Sequence, residues 1–267
     1  MKNIFKLVLV ALVALFLGAC SDNEKQKPQE KKVIKVGATP VPHAEILQEV
    51  KKILAKEGYT LEIVEFTDYV TPNIAVEEGE LDANFFQHVP YMEEFNKNKN
   101  THLVATAKVH LEPMGVYSHK IKSLTEIKEG DTIAVPNDPT NESRALDILQ
   151  REGLLTFKDV ELKTAKDILD NPKNLKIDEL DAPQLPRVLD EVTAAVINTN
   201  YALLANLNPL KDALAIESKD SPYVNIIAVK KGNEDKAYIK ALDKAINSDE
   251  IKNFIRTKYK GAIVEAF

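Results

Sequence analysis

Thr132-Ile133-Ala134-Val135-Pro136-Asn137-Asp138-Pro139-Thr140-Asn141-Glu142-Ser143-Arg144 reads as a strand that runs straight into a capped helix. The apolar, partly β-branched run Thr132 to Val135 suits a buried strand. Asp138 or Thr140 can cap the helix, and Pro139 suits its first turn, where a missing N–H leaves nothing unpaired. The helix is expected to continue to about Arg151, with Gly153 just past its end.

The same grammar extends in both directions. On the N-terminal side, strands are expected at Val33 to Gly37, Leu61 to Phe66, Leu81 to Phe86, Leu103 to Val109 and Met114 to Tyr117. Helices are expected at His43 to Lys56, where Ile46, Val50, Ile53 and Leu54 form one stripe, and at Val70 to Glu78 and Pro90 to Asn98. On the C-terminal side come strands at Leu175 to Leu180, Ala194 to Ile197 and Val224 to Val229. Between and after them come short helices at Pro183 to Leu189 and Tyr201 to Ala205, and terminal helices at Glu234 to Asn247 and Glu250 to Tyr259. Strands alternating with helices imply an α/β fold with a largely parallel sheet.

In such sheets ligands bind beyond the carboxyl ends of the strands. Those ends carry Tyr69, then Phe86, His88 and Tyr91, then Asn137, Asn141 and Arg144, then Asn198 and Asn200, with Asn225 at the start of the Val224 strand. Aromatics and amides dominate, with one arginine. Arg144 falls in the first turn of its helix, where a cation opposes the macrodipole unless an anion is bound there. Two readings stand for it: a fork for a carboxylate, or a surface pair with Glu142 or Asp147. The asparagines can orient an ammonium and a carboxylate together, or serve as turn residues, and for Asn137 the turn reading is preferred. Tyr69, Phe86 and Tyr91 can wall an apolar pocket, and sulfur–aromatic contacts of about 0.3–1.5 kcal/mol each would suit a thioether. Plain core packing is the other reading.

The N-terminus has its own pattern. Lys2 and Lys6 precede an apolar run from Leu7 to Leu17, which is shorter than the ~20 residues of a membrane-spanning helix and matches a secretory leader. Leu17-Gly18-Ala19-Cys20 resembles the lipobox of bacterial lipoproteins, which places a signal peptide at 1–19 and lipidation at Cys20. Cys20 is the single cysteine, so no intramolecular disulfide can form. Residues 20–32 are polar, contain Pro28, and read as a flexible tether.

The formal net charge is -6, and the leader contributes two of the cations. An acidic chain with interspersed charges argues against nucleic acid as a partner. The five histidines, at 43, 88, 102, 110 and 119, form no ligand-spaced motif, so no metal site is expected. There is no nucleophile elbow, Ser-x-x-Lys, P-loop or Gly-x-Gly-x-x-Gly, and nine glycines leave little for a phosphate cradle. Neither an enzyme nor a cofactor is expected.

Long contiguous blocks carry a resemblance. They are Gly37-Ala38-Thr39-Pro40-Val41-Pro42-His43-Ala44-Glu45-Ile46-Leu47, Phe66-Thr67-Asp68-Tyr69, the segment from Leu81 through Tyr91, Pro136 through Leu146, Ala195 through Ala202, and Ser221-Pro222-Tyr223-Val224-Asn225. With the lipobox upstream, the chain resembles the methionine-binding lipoproteins of bacterial ABC importers, the MetQ or NlpA family. The resemblance implies a two-lobed periplasmic-binding-protein fold of class II with a ligand cleft between the lobes. Lobe 1 would be 33–112 plus 226–267, and lobe 2 would be 113–225. It implies that Tyr69, Phe86, His88 and Tyr91 wall the side-chain pocket, that Arg144 with Asn141 holds a carboxylate, and that Asn198, Asn200 and Asn225 hold the polar end. His110 is a weaker candidate.

The function so implied is capture of L-methionine by a monomer, lipid-anchored on the extracytoplasmic face of a membrane, and delivery to the membrane subunits of an ABC importer. Another apolar amino acid, D-methionine, a short peptide or an adhesin-type surface role are the alternatives. Cys20→Ala should abolish lipidation and release the protein into the soluble exported fraction, or leave the leader uncleaved. Membrane attachment with normal processing in that variant would contradict the lipobox reading.

Overall fold

The computed structural model describes residues 31–218 and 220–267. The expected leader at 1–19, Cys20 and residues 20–30 of the expected tether lie outside the described residues. In chain order the elements are β1 (Val33–Ala38), α1 (Glu45–Lys56), β2 (Thr60–Glu65), α2 (Thr71–Glu78), β3 (Ala83–His88), α3 (Val89–Lys99), β4 (Leu103–Leu111) and β5 (Gly115–Tyr117). They continue with β6 (Thr132–Pro136), α4 (Pro139–Arg151), β7 (Thr156–Phe157), β8 (Ile168–Asp170), β9 (Lys176–Leu180), β10 (Ala194–Ile197) and α5 (Thr199–Leu204). The last are β11 (Ala215–Ile216), β12 (Val224–Lys230), α6 (Ala237–Ile246), α7 (Asp249–Tyr259) and β13 (Val264–Glu265).

Local chemistry sets the boundaries. Asp138 caps α4 by accepting from the Asn141 N–H at 3.0 Å, and Pro139 occupies the first turn, as the sequence suggests. Gly79 ends α2 in the left-handed conformation at φ 81°, which a side chain would strain. α1 turns Ile46, Leu47, Val50 and Leu54 inward. There they meet Ile34, Val36, Phe85, Val109 and Ile227 of the sheet, and Ile239, Leu242, Ile251 and Ile255 of α6 and α7. A second core gathers Val116, Ile133, Val135, Leu146, Leu149 and Val196.

These cores belong to two sheets. One has six strands in the order β13-β4-β12-β3-β1-β2, the other five in the order β11-β5-β10-β6-β9. The chain is a two-lobed α/β fold with a cleft. The expectation of largely parallel sheets is corrected: both are mixed. β1 pairs in parallel with β2 and β3, and β6 with β9 and β10, but β12 and β5 run antiparallel to their neighbours. The reason is connectivity. The chain leaves the six-stranded sheet after β4, builds the other sheet, and returns as β12, which inserts between β3 and β4 from the opposite direction.

Two connections therefore join the sheets, residues 112–114 and 217–223. β3 also runs two residues beyond the expected end, through His88, because its last residues pair with β12, where Asn225 faces both His88 and His110. Phe86 and His88 thus sit within a strand, not after it. Four short strands, β7, β8, β11 and β13, were too brief to leave a period in the sequence.

α4 and β9 bring two carboxylates together. Glu142 accepts from the Ala165 N–H at 3.1 Å, and its carboxyl is pushed up to about 7 by burial and by the charge of Glu179. The folded chain thus holds a proton that the unfolded chain releases near the ordinary value of 4.5. The resulting stability is fully present below that value and is lost as pH rises through about 7. Glu142→Gln should flatten the fall in Tm between about pH 5 and pH 8. An unchanged pH profile of Tm in the variant would show that the pair does not govern it.

Candidate functional site

The walls come from the six-stranded side. Tyr69, in the loop after β2, stacks on Phe86 of β3 with ring centres 5.6 Å apart. Tyr91 of α3 meets both edge-on, at 5.8 and 6.0 Å. Such offset and edge arrangements are the favoured ones for aromatic rings. The Tyr91 hydroxyl donates to the Tyr69 carbonyl at 2.9 Å, fixing one ring by the other. Burial holds the Tyr69 hydroxyl well above its usual range, so it stays protonated and donates to Asn200 Oδ1 at 2.7 Å. Behind Phe86 lies a closed amide network. Asn73 and Gln87 exchange hydrogen bonds at 2.9 and 2.6 Å, and Asn84 joins both. Each of these amides is buried, and their mutual pairing offsets the loss of water.

His88 is pushed down to about 3 by burial and by the Arg144 cation, so its ring is neutral near pH 7. It caps α3 by accepting from the Tyr91 N–H at 3.1 Å, and its Nε2 donates to Asn141 Oδ1 at 3.2 Å. Asn141 is likewise committed within the protein. Its Nδ2 donates to both Asp138 oxygens at 3.0 Å, and its Oδ1 also accepts from Asn198 Nδ2 at 3.0 Å. The His88–Asn141 and Tyr69–Asn200 bonds cross the cleft, as does the bond from the Tyr201 hydroxyl to the Thr67 carbonyl at 3.0 Å.

The charged residues lie at the joint between the sheets. Arg144 is buried, at 4% exposure, and is not a surface residue. It does not pair with Glu142, which binds the 165 backbone, or with Asp147, which binds Lys163. Its partner is Glu217, which takes Nε at 2.8 Å and Nη2 at 2.5 Å, while Nη2 also donates to the Glu112 carbonyl at 2.7 Å. The guanidinium lies over the Tyr223 ring at 4.5 Å. Among the described residues Nη1 makes no hydrogen bond.

Glu112 was not singled out in the sequence. Its Oε1 accepts from His110 Nε2 at 2.7 Å and lies 3.1 Å from His43 Nε2. His43 in turn bonds Asn225 Oδ1 at 2.9 Å and Thr39 at 2.6 Å. Burial alone would raise the Glu112 carboxyl, but the His43 ring and the hydrogen bonds from His110 and His43 outweigh it and hold it far below the usual carboxylate range. Burial lowers His110, so that ring is neutral.

One cavity receives all nine residues proposed from the sequence: Tyr69, Phe86, His88, Tyr91, Asn141, Arg144, Asn198, Asn200 and Asn225. Gln87, Glu112 and Thr199 complete its lining. His110 stays outside it, behind Glu112. The cavity is narrow, with about 330 Å³ of empty space between its lining residues. Among the described residues, five lining polar atoms have no protein partner: Arg144 Nη1, Asn200 Nδ2 and Asn225 Nδ2 as donors, and Glu112 Oε2 and Asn198 Oδ1 as acceptors. Asn198 Oδ1 is fully buried. Leaving such groups unmet is unfavourable, and a set of free donors and acceptors of this kind is complementary to a ligand that carries both charges.

A two-lobed α/β fold with a buried, bipolar, aromatic-walled cleft defines a solute-binding protein. Residues 34–267 match the NlpA lipoprotein family, and the chain belongs to it. It is 44% identical over 267 residues to the D-methionine-binding lipoprotein MetQ of Salmonella typhi, covering 98% of this chain and 97% of that one. It is 43% identical over 273 residues to the methionine-binding lipoprotein MetQ of Bacillus subtilis, covering 99% and 98%. A nutrient-binding protein from Burkholderia cenocepacia, solved bound to methionine, superposes with a TM-score of 0.86 at 49% identity, covering 88% of this chain and all of that one.

His43, His110 and Glu112 also place three potential metal-ligating atoms within 4.8 Å of one another, a grouping that sequence spacing could not reveal. Those atoms already bond each other, with both imidazoles on one carboxylate oxygen. EDTA should therefore leave Tm unchanged, as should added zinc. A Tm lowered by EDTA and restored by zinc would make the cluster a metal site.

Proposed function

We propose that this chain captures free L-methionine outside the cytoplasm, tethered by a lipid on Cys20, and hands it to the membrane subunits of an ABC importer. The observation that carries this reading is the set of unpartnered atoms in one narrow cavity beside an aromatic wall. Arg144 Nη1 and the Asn225 amide would take the α-carboxylate. Glu112 Oε2 and Asn198 Oδ1 would take the α-ammonium. The thioether would lie among Tyr69, Phe86 and Tyr91, where sulfur–aromatic contact adds to apolar burial. Asn141 and His88 would orient their neighbours, because their own hydrogen-bonding groups are already used.

The relatives named for methionine and the neighbour solved with it support the same ligand. Residues 33–112 with 226–267 would form one lobe and 113–225 the other, and closure about 112–114 and 217–223 would trap the ligand. No lining group supplies a nucleophile activated by a base, so capture without chemistry is the role proposed.

Ligand that binds only the native state stabilises it by about 2.7 kcal/mol at a hundredfold excess over Kd. L-Methionine added to protein stripped by partial unfolding and refolding should raise Tm by about 5–10 °C. Selenomethionine should act alike, and glutamate and lysine should do little, because the cavity would bury an unpaired charge. Isothermal titration with the same panel reads the affinity, with D-methionine included to read stereochemistry. Stripped protein that ignores methionine and responds to another solute class would overturn the ligand assignment.

A further inference from the structure

We infer that Glu217, which does not line the cavity, is a positioning residue for ligand capture: it fixes the Arg144 guanidinium from behind and ties it to both connections between the sheets. This inference rests on the proposed function, because it concerns how the arginine of that site meets a carboxylate.

Three observations carry it. First, the Glu217 carboxylate is fully committed. It takes Arg144 Nε and Nη2 as a fork, the Met114 N–H at 3.1 Å and the Ser221 hydroxyl at 3.1 Å. It has no capacity left for a ligand, so its role is exerted through the groups it holds. Second, those groups belong to different parts of the fold. Arg144 is on α4, Met114 is in the first connection, and Glu217 and Ser221 are in the second. The backbone of Glu217 also donates to the Met114 carbonyl at 2.8 Å, so the two connections are bound at this point twice.

Third, the guanidinium fork has a defined front and back. Nε and Nη2 face Glu217 and the Glu112 carbonyl, and Tyr223 covers one face of the plane. Only Nη1 is left unpaired among the described residues. A planar guanidinium held along one edge has a single orientation, and a ligand contact is strongest when its donor is fixed beforehand.

Two consequences follow. Loss of the Glu217 fork frees Arg144 to turn, which weakens the contact to a carboxylate but not the contacts to an ammonium or thioether. A ligand carboxylate that pulls on Nη1 also acts, through the same rigid group, on both connections about which the lobes close. Glu217 thus couples the ligand's carboxylate to closure.

The test compares L-methionine with L-methionine amide, which lacks the carboxylate, by isothermal titration on stripped protein. In Glu217→Gln, which keeps volume but replaces an acceptor with a donor pair, the Kd for L-methionine should rise about tenfold or more. The Kd for the amide should move by less than about threefold. Arg144→Ala with Glu217→Gln should bind L-methionine no more weakly than Arg144→Ala alone, since the second change acts only through the first.

Glu217→Asp keeps the charge, withdraws the carboxylate by one methylene, and should show the same ligand-selective loss if the Gln variant does not fold. Equal losses for both ligands, additive losses in the double variant, or wild-type affinity for L-methionine in a folded Glu217 variant would each overturn the inference. Wild-type affinity for methionine reads the proposed function, whereas variant-to-wild-type ratios read this inference, so the two fail separately.

Discussion

Arg144, Glu112 and Glu217 are removed from water where the two sheets are joined, and the arrangement of the site follows from how each is partnered. An ionised group in the interior is tolerated only if opposite charge or several hydrogen bonds replace its hydration. Glu217 supplies the opposite charge to Arg144. His110 and His43 supply hydrogen bonds to one oxygen of Glu112. Each of these solutions is one-sided: Arg144 keeps Nη1 and Glu112 keeps Oε2, and both residues line the same cavity. Breaking such a pair by removing one member typically costs about 3–5 kcal/mol, which is why these side chains have little freedom to do anything else.

The rest of the site is built to keep those residual valences fixed. The Asn73–Asn84–Gln87 network locks α2 to β3 behind Phe86. His88 caps α3 and so sets Tyr91. Asn141, held by its own helix cap Asp138, orients Asn198 and His88 together. Three hydrogen bonds from Tyr69, His88 and Tyr201 span the cleft. Because Arg144, Asn141, Glu112 and Asn198 are buried, electrostatic contacts among them gain strength from the lower effective dielectric. The connections at 112–114 and 217–223 carry Glu112, which lines the cavity, and Glu217, which holds Arg144 from behind it, so the charges of the site are anchored in the segments that join the sheets.

Much of this was legible in the chain. The βα unit at Thr132–Arg144 carries its own punctuation, with Pro136 ending the strand and Asp138-Pro139 starting the helix, and the structure keeps each of these. The eight aromatic and amide residues and Arg144 stood out because they cluster at the ends of apolar runs, and all nine meet in one cavity. What was not legible depends on long-range closure. Glu217 lies 73 residues from Arg144, and His43 lies 182 residues from Asn225, so neither pairing leaves a local period. Glu112 offered one weak signal, a lone carboxylate between Leu111 and Pro113 in an otherwise apolar stretch. β3 runs past the end of its apolar run because β12 returns from the far end of the chain to pair with the polar Gln87 and His88. The mixed sense of both sheets was hidden for the same reason.

In the function proposed, this cavity reads an amino acid by its two opposite charges. A crystal structure of the stripped protein with L-methionine tests it most directly. The carboxylate is expected on Arg144 Nη1, the ammonium between Glu112 Oε2 and Asn198 Oδ1, and the sulfur among Tyr69, Phe86 and Tyr91. Methionine bound elsewhere, or seated with its ammonium toward Arg144 and its carboxylate toward Glu112, would contradict it.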